Sequence, residues 1–344
     1  MLFRSHAATP LLGSQAFVGT VGAWRETAHI QVRRHRTPMP TPAQEVRDTF
    51  LIPQDIHAAT EPLSAIASTA DLELGTIAES FAENLKGVVR TLSIPFQYTY
   101  SQVHSLHWQR VHMAARIRGG GSPDDAQQAA VDRETAHANF NEYVKGDGGK
   151  LIADEVVDRL LRLRSEQESL LAARELSRQG IVLVWSAVEV LARDAFVYLL
   201  NRRPQLADQL LADPSNKKRF STERIDWPVL SSYGFDLSKS LGTYLISKAD
   251  LSNVPAIRTA YGALFPSAKQ LQQTLADNRL WRLSQMRHLI VHRRGVVDQS
   301  FIEATRTPLS VGELLWVSPA EVEEALDSAL LLGKALVGEV QSAT

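Results

Sequence analysis

The sequence predicts an all-α fold, and three observations carry the prediction. From residue 41 onward, apolar side chains recur three or four apart over most of the chain, the spacing that lines one face of a helix. Helix boundaries are marked by side chains. Ser318-Pro319-Ala320-Glu321 combines a capping serine, a proline in the first turn and a glutamate three residues on, and Gly295 closes a periodic run as a helix-stopping glycine does. Extended structure is expected only at Phe96–Ser101, which alternates briefly, and around Val296–Ile302 and Glu313–Val317. The expected architecture is an N-terminal helical region followed by a helical bundle with a short extended segment before its last helix.

The 344 residues carry 37 Lys and Arg against 38 Asp and Glu, a net charge of −1. No global field draws in nucleic acid or an anionic membrane, so a polyanion has to be held by a local patch. Hydrophobic residues make up 44%, enough for a sizeable core, and the length suggests two domains. The chain has no cysteine. That removes disulfides, thiolate metal sites and cysteine nucleophiles, and it fits a reducing, cytoplasmic setting. No apolar run approaches the roughly 18 residues of a membrane span, and no membrane partner is expected.

Residues 1–40 differ from the rest. Arg4, Arg25, Arg33, Arg34 and Arg36 stand against a single acid, Glu26, with no helical or strand period. The segment reads as a disordered tail or as residues upstream of the true start, because Met39 opens a more regular sequence; a transit peptide shares the composition. Residues 41–146 form the N-terminal helical region, of no assigned role. Glu61–Leu92 is periodic through Leu63, Ile66, Leu72, Leu74, Ile77, Phe81, Leu85, Val88 and Val89, and His104–Arg118 is again helical. His104, His107 and His112 fall together there. Imidazoles three apart can share a metal, but the stretch supplies no carboxylate or cysteine, so they read as polar positions on a helix. Gly119–Asp125 is a flexible break, and no Gly-Lys-Ser/Thr follows to make it a phosphate loop. Asp124–Lys145 is a polar, alanine-rich helix. Gly146-Asp147-Gly148-Gly149 is a second break, where the domain boundary is placed, leaving residues 150–344 as the second domain.

That domain opens with the charge-laced helix Leu151–Leu176 and the most apolar helix of the chain, Gln179–Leu200, whose stripe of Ile181, Val184, Trp185, Val188, Leu191, Phe196 and Leu199 must be buried. Glu189 lies at the edge of that stripe, either in a cleft or with its head in water. Asn201-Arg202-Arg203-Pro204 ends the helix. Lys217–Arg224 is a short basic loop that could track a nucleic-acid backbone or simply be solvated. Short helices follow over Asp236–Pro266, then one long helix over Ala268–His292. The last helix runs from the capping box at Ser318 to about Val340.

The stretch Trp281–Asp298 organises the rest. At about 100° per residue, Leu283, Met286 and Ile290 form a core-facing seam, while Trp281, Ser284, Gln285, His288 and His292 gather opposite it. His288 and His292 are one turn apart, and Arg287 lies on the border, its side chain long enough to reach round to them. From Arg279 to Arg294 there are five arginines and no acid. Two imidazoles in a local positive field suit phosphate chemistry.

Arg287-His288-Leu289-Ile290-Val291-His292, the following Arg293-Arg294-Gly295-Val296-Val297-Asp298, the apolar helix with Glu189 and the tail Gly312–Ser318 together resemble the HEPN domain family, all-helical domains associated with nucleotides and RNA. The resemblance covers residues from about 150 onward. The family's ribonuclease branch carries an arginine, a polar residue, three mostly apolar residues and a histidine; the usual asparagine after the arginine is His288 here. The resemblance implies an endoribonuclease that needs no metal or other cofactor, acting on RNA as a homodimer whose two motifs line one cleft. His292 is then the acid or base, Arg287 the phosphate clamp and His288 an orienter or second donor, with Arg282, Arg293, Arg294 and Glu189 on the substrate side. RNA supplies its own nucleophile, the 2′-hydroxyl, and histidine and arginine are the side chains to move its proton and brace the phosphorane charge. By resemblance, an antitoxin or sensor protein as partner and a toxin or phage-defence role are also implied. Two other readings are a non-catalytic HEPN module that binds nucleotide or RNA or dimerises, and a metallohydrolase using His288 and His292, which lacks the glutamate expected after the first histidine.

Overall fold

A computed structural model describes residues 40–53, 55–120, 126–220, 225 and 227–344. The basic opening segment, most of the break after Gly120 and the second half of the Lys217–Arg224 stretch lie outside the described residues. The chain is all-α, and among the described residues extended pairing is limited to one antiparallel bridge, Val296 with Leu314.

The helices are α1 (Pro42–Arg47), α2 (Ile56–Thr69), α3 (Leu72–Leu92), α4 (Ile94–Gly119), α5 (Ala126–Lys145), α6 (Asp147–Ser165), α7 (Gln167–Arg202), α8 (Leu206–Ala212), α9 (Pro214–Phe220), α10 (Trp227–Ser232), α11 (Leu241–Ile246), α12 (Val254–Leu264), α13 (Lys269–Leu275), α14 (Asn278–Arg293), α15 (Gln299–Thr305) and α16 (Pro319–Ala343). They divide into two compact units: unit 1 takes residues up to Asp55 and Ser93–Ala173, and unit 2 takes Ile56–Leu92 and Arg174–Thr344. The boundary expected at Gly146–Gly149 is therefore not where the units part. Gly146 makes the turn between α5 and α6, Gly148 and Gly149 lie in the first turn of α6, and the two helices pack on each other inside unit 1. The α2–α3 hairpin, separated from α7 in the chain by the helices of unit 1, joins unit 2 because its apolar face finds α16.

Unit 1 is α4, α5 and α6 packed pairwise, with α1 laid on α6. Its core is Val46, Phe50, Phe96, Val103, Phe140, Ile152, Val156 and Leu160. The Phe96–Ser101 stretch, expected to be extended, lies in the opening turns of α4. Pro95 sits in that helix's first turn, and Phe96 and Tyr100 are four apart, which stacks their rings on one face at 6.3 Å. Aromatic alternation here is helical spacing read over too short a window.

Unit 2 is built round α7 and α16. Trp185, Val188, Phe196 and Leu199 of α7 and Val322, Leu326, Leu336 and Val337 of α16 are buried. Each such side chain contributes roughly 1.5–3 kcal/mol relative to exposure. Phe81 of α3 lies so close to Gly333 of α16 that a Cβ there would overlap its ring. The Tyr261 hydroxyl donates to the Ala192 carbonyl of α7 at 2.6 Å, pinning α12.

Three element boundaries differ from expectation. Glu61–Leu92 is broken at Asp71, whose carboxylate accepts from the Glu73 and Leu74 amides at 3.0 and 3.1 Å and starts α3. Ala268–His292 is broken at Asp277, which caps α14 by accepting from the Arg279 amide at 2.8 Å. Lys217–Phe220 is the end of α9, not loop, because Phe220 is buried against Phe196. The capping box at Ser318–Glu321 forms as expected, with both reciprocal bonds present. Among the described residues no helix is long and apolar enough to cross a membrane.

Candidate functional site

Helix α14 is held between its Asp277 cap and a left-handed turn. The turn begins one residue earlier than Gly295: Arg294 has φ 55° and Gly295 φ 79°. Both amides turn back to the Leu289 carbonyl. Leu280, Leu283, Met286, Leu289 and Ile290 bury the inner face, as the seam required. The chain after the turn is clipped to the segment before α16. Leu315 N–H donates to Gly295 O at 2.7 Å, Val297 N–H to Glu313 O at 2.8 Å and Gly312 N–H to Val297 O at 2.9 Å. Between the two halves of this clip lies α15, capped by Asp298, so only the start of Val296–Ile302 is extended.

His288 and His292 are close neighbours on α14, ring centroids 4.7 Å apart and tilted by 48°, and both are exposed. They lie over the last turns of α14, where the helix dipole is negative and cations are favoured. Arg293 and Arg294 follow them, both exposed, with Arg293 Nε 3.3 Å from the Asp298 carboxylate.

Arg287 is not on that face. On the helical period it is about 140° from His292. Its Nη2 is 3.4 Å from Glu189 Oε1 of α7, its side chain is mostly buried, and its Nε is buried without a hydrogen-bond partner among the described residues. The expected reach of Arg287 round to the imidazoles is thus replaced by an inward turn. A carboxylate in a water-poor position holds a guanidinium more firmly than an exposed imidazole edge can. Glu189 in turn accepts from Trp185 Nε1 at 2.7 Å. Of the two positions open to Glu189, it takes the partly buried one, because it has an indole donor and a cation there.

Arg282 is also elsewhere. It lies about 15 Å along the helix from His292 and pairs with Glu321 Oε1 at 2.6 Å, bracing the capping box of α16. The structure therefore brings together His288, His292, Arg293 and Arg294, sets Arg287 and Glu189 behind them as a pair, and leaves Arg282 out. His288 and His292 supply two imidazoles, and among the described residues no three His, Asp or Glu side chains are placed to hold a metal ion.

Two neighbours of the site were not singled out from sequence. Arg174 of α7 lies over the Trp316 ring, its Cζ 3.6 Å from the centroid. Arg178, ion-paired with Glu175, sets its Nη1 beside Gly295. The alternation Leu315 in, Trp316 out, Val317 in is a readable signal for an outward indole; the approach of two arginines from a helix far earlier in the chain is not.

Unit 1 holds a separate polar cluster. His107, nearly fully buried, bonds through Nδ1 to the Tyr143 hydroxyl at 2.8 Å and through Nε2 to Glu155 at 3.0 Å, and Arg159 donates to the other Glu155 oxygen at 2.6 Å. The carboxylate missing from the His104–Arg118 stretch comes from α6, 48 residues on. The bond from His107, then that from Arg159, holds the Glu155 carboxyl below the usual carboxylate range. Burial, with the neighbouring His107, lowers His104. His104, Trp108, His137 and Phe140 pack ring against ring around this cluster.

In comparisons with known proteins no family model, no curated protein and no solved structure matches the chain.

Proposed function

We propose that the chain is a metal-independent endoribonuclease of HEPN type. The observation that carries the proposal is the His288–His292 pair, 4.7 Å between ring centroids, at a helix end followed by the exposed Arg293 and Arg294. In-line cleavage of RNA needs a base at the 2′-hydroxyl and an acid at the leaving 5′-oxygen. These oxygens lie on opposite sides of phosphorus. His292 takes the 2′-hydroxyl proton, the 2′-oxygen bonds to phosphorus, and the 5′-oxygen leaves with a proton from His288. The products are a 2′,3′-cyclic phosphate and a 5′-hydroxyl. Arg293 and Arg294 attract the strand. Arg287, held by Glu189, acts from behind or is supplied across a homodimer cleft. An antitoxin or sensor as partner, and a role as toxin or in phage defence, belong to the same proposal.

A second reading is favoured by the Arg287–Glu189 contact, which gives the motif arginine a structural role. In that reading the domain is a non-catalytic module that binds RNA or nucleotide. The deciding experiment incubates the purified chain with single-stranded RNA in excess chelator. Cleavage leaving cyclic-phosphate ends supports the nuclease. Binding without cleavage supports the module. A chain that leaves RNA whole and unbound overturns both.

A further inference from the structure

We infer that Trp316 and Arg174 form a stacking platform that holds one unpaired base of the RNA strand beside the imidazole pair. The inference rests on the ribonuclease reading and adds a nucleobase subsite to it. Trp316 lies between two buried residues, Leu315 and Val317, and is itself 44% exposed, so the backbone turns the indole outward. The platform is fixed in place. Leu315 is bonded to Gly295 at 2.7 Å, and Gly295 is three residues past His292, which puts Trp316 within roughly 20 Å of His292 by chain reach.

Its chemistry suits a base. Arg174 lies over the indole with a planar cation at 3.6 Å from the ring centroid, and the tryptophan is 44% exposed beside that charge. A nucleobase stacks on such a surface whatever its identity, and the phosphate next to it meets the guanidinium. Arg178, one helical turn on from Arg174 in α7, sets its Nη1 beside Gly295 and is ion-paired with Glu175, so among the described residues the uncompensated cation at the indole is Arg174. A duplex keeps its bases stacked on each other, so the platform selects single-stranded RNA or a splayed base.

The test uses the full chain with His292→Ala, to prevent turnover, and a short fluorescein-labelled oligouridylate read by fluorescence anisotropy. Trp316→Ala weakens binding about tenfold, and Trp316→Phe, which keeps a ring, by less than about threefold. Abasic sites scanned along the oligonucleotide provide a change that leaves the protein untouched. Removing the stacked base weakens binding to the Trp316 protein and adds nothing once Trp316 is alanine. Binding unchanged by Trp316→Ala, or an abasic penalty that persists without the indole, overturns the platform. If wild type cleaves RNA while those factors fail to appear, the platform falls and the nuclease reading stands; if wild type neither binds nor cleaves RNA, both fall.

Discussion

Arg287 of α14 is held to Glu189 of α7, Nη2 to Oε1 at 3.4 Å, and the same oxygen accepts from Trp185 Nε1 at 2.7 Å. The motif arginine is therefore part of how α14 is seated in unit 2. Glu189→Ala removes a carboxylate partner from an indole N–H and from a mostly buried guanidinium, and it should destabilise unit 2 by about 1–3 kcal/mol. Glu189→Gln keeps the acceptor for Trp185 and should lose less. Urea unfolding followed by tryptophan fluorescence measures both, fitted with separate transitions because the chain has two units. Equal stability of wild type and Glu189→Ala would show that the contact does not hold α14.

The imidazoles and the arginines separate in their expected effects on cleavage. His292→Ala and His288→Ala should each lower the rate of RNA cleavage by about 10²–10⁴-fold, the usual range for loss of a general acid or base. Arg282→Ala should change the rate little and cost at most about 1 kcal/mol of stability, since Arg282 is paired with Glu321 at the head of α16. A cleavage loss for Arg282→Ala as large as that for His292→Ala contradicts the proposed site. Sedimentation of the active species tests the dimer: a strictly monomeric yet fully active chain removes it.

In unit 1, His107 ties α4 to Tyr143 of α5 and Glu155 of α6. His107→Phe keeps the ring volume but leaves a phenol and a carboxylate without that partner. It should destabilise unit 1 by about 1–3 kcal/mol, and Tyr143→Phe by less. A double-mutant cycle between the two positions should show coupling, and additive losses would mean that the bond is not formed in solution.

Acid should loosen unit 1 in two stages. Burial lowers His104, so the unfolded chain takes up that proton at higher pH than the folded one. The stability this contributes is present above the ordinary imidazole value of about 6.5 and is lost as pH falls below it. Glu155, lowered by its bonds to His107 and Arg159, contributes stability present above the ordinary carboxylate range and lost at still lower pH. His104→Phe should abolish the first stage and keep the second, as seen in thermal melts across pH. An unchanged profile in that variant assigns the first stage elsewhere.

Gly333 in the middle of α16 is set by Phe81 of α3, whose ring occupies the place of a Cβ. Gly333→Ala would gain helix propensity in isolation, yet it should destabilise unit 2 by about 1–3 kcal/mol through overpacking. A rise in melting temperature would show that Phe81 moves aside at little cost.

What the sequence determined by itself was local. The all-α class, the inner seam of α14, the apolar stripe of α7 and the Ser318 capping box follow from spacing and from side chains bonding to backbone within a few residues. The meeting of His288 with His292 follows too, because residues four apart on a helix are neighbours on its surface. Tertiary structure decided every partner supplied from far along the chain. It placed Glu189 against Arg287 and Glu321 against Arg282, so that two arginines of one helix, read alike in sequence, brace the fold while Arg293 and Arg294 face water. It completed His107 with a carboxylate from another helix, and it moved the α2–α3 hairpin into unit 2. The physical reason is one of range. Periodicity and capping act over a single turn, whereas a charged side chain goes to whichever opposite charge the packed core carries within a few ångströms of it, and sequence separation has no bearing on that choice.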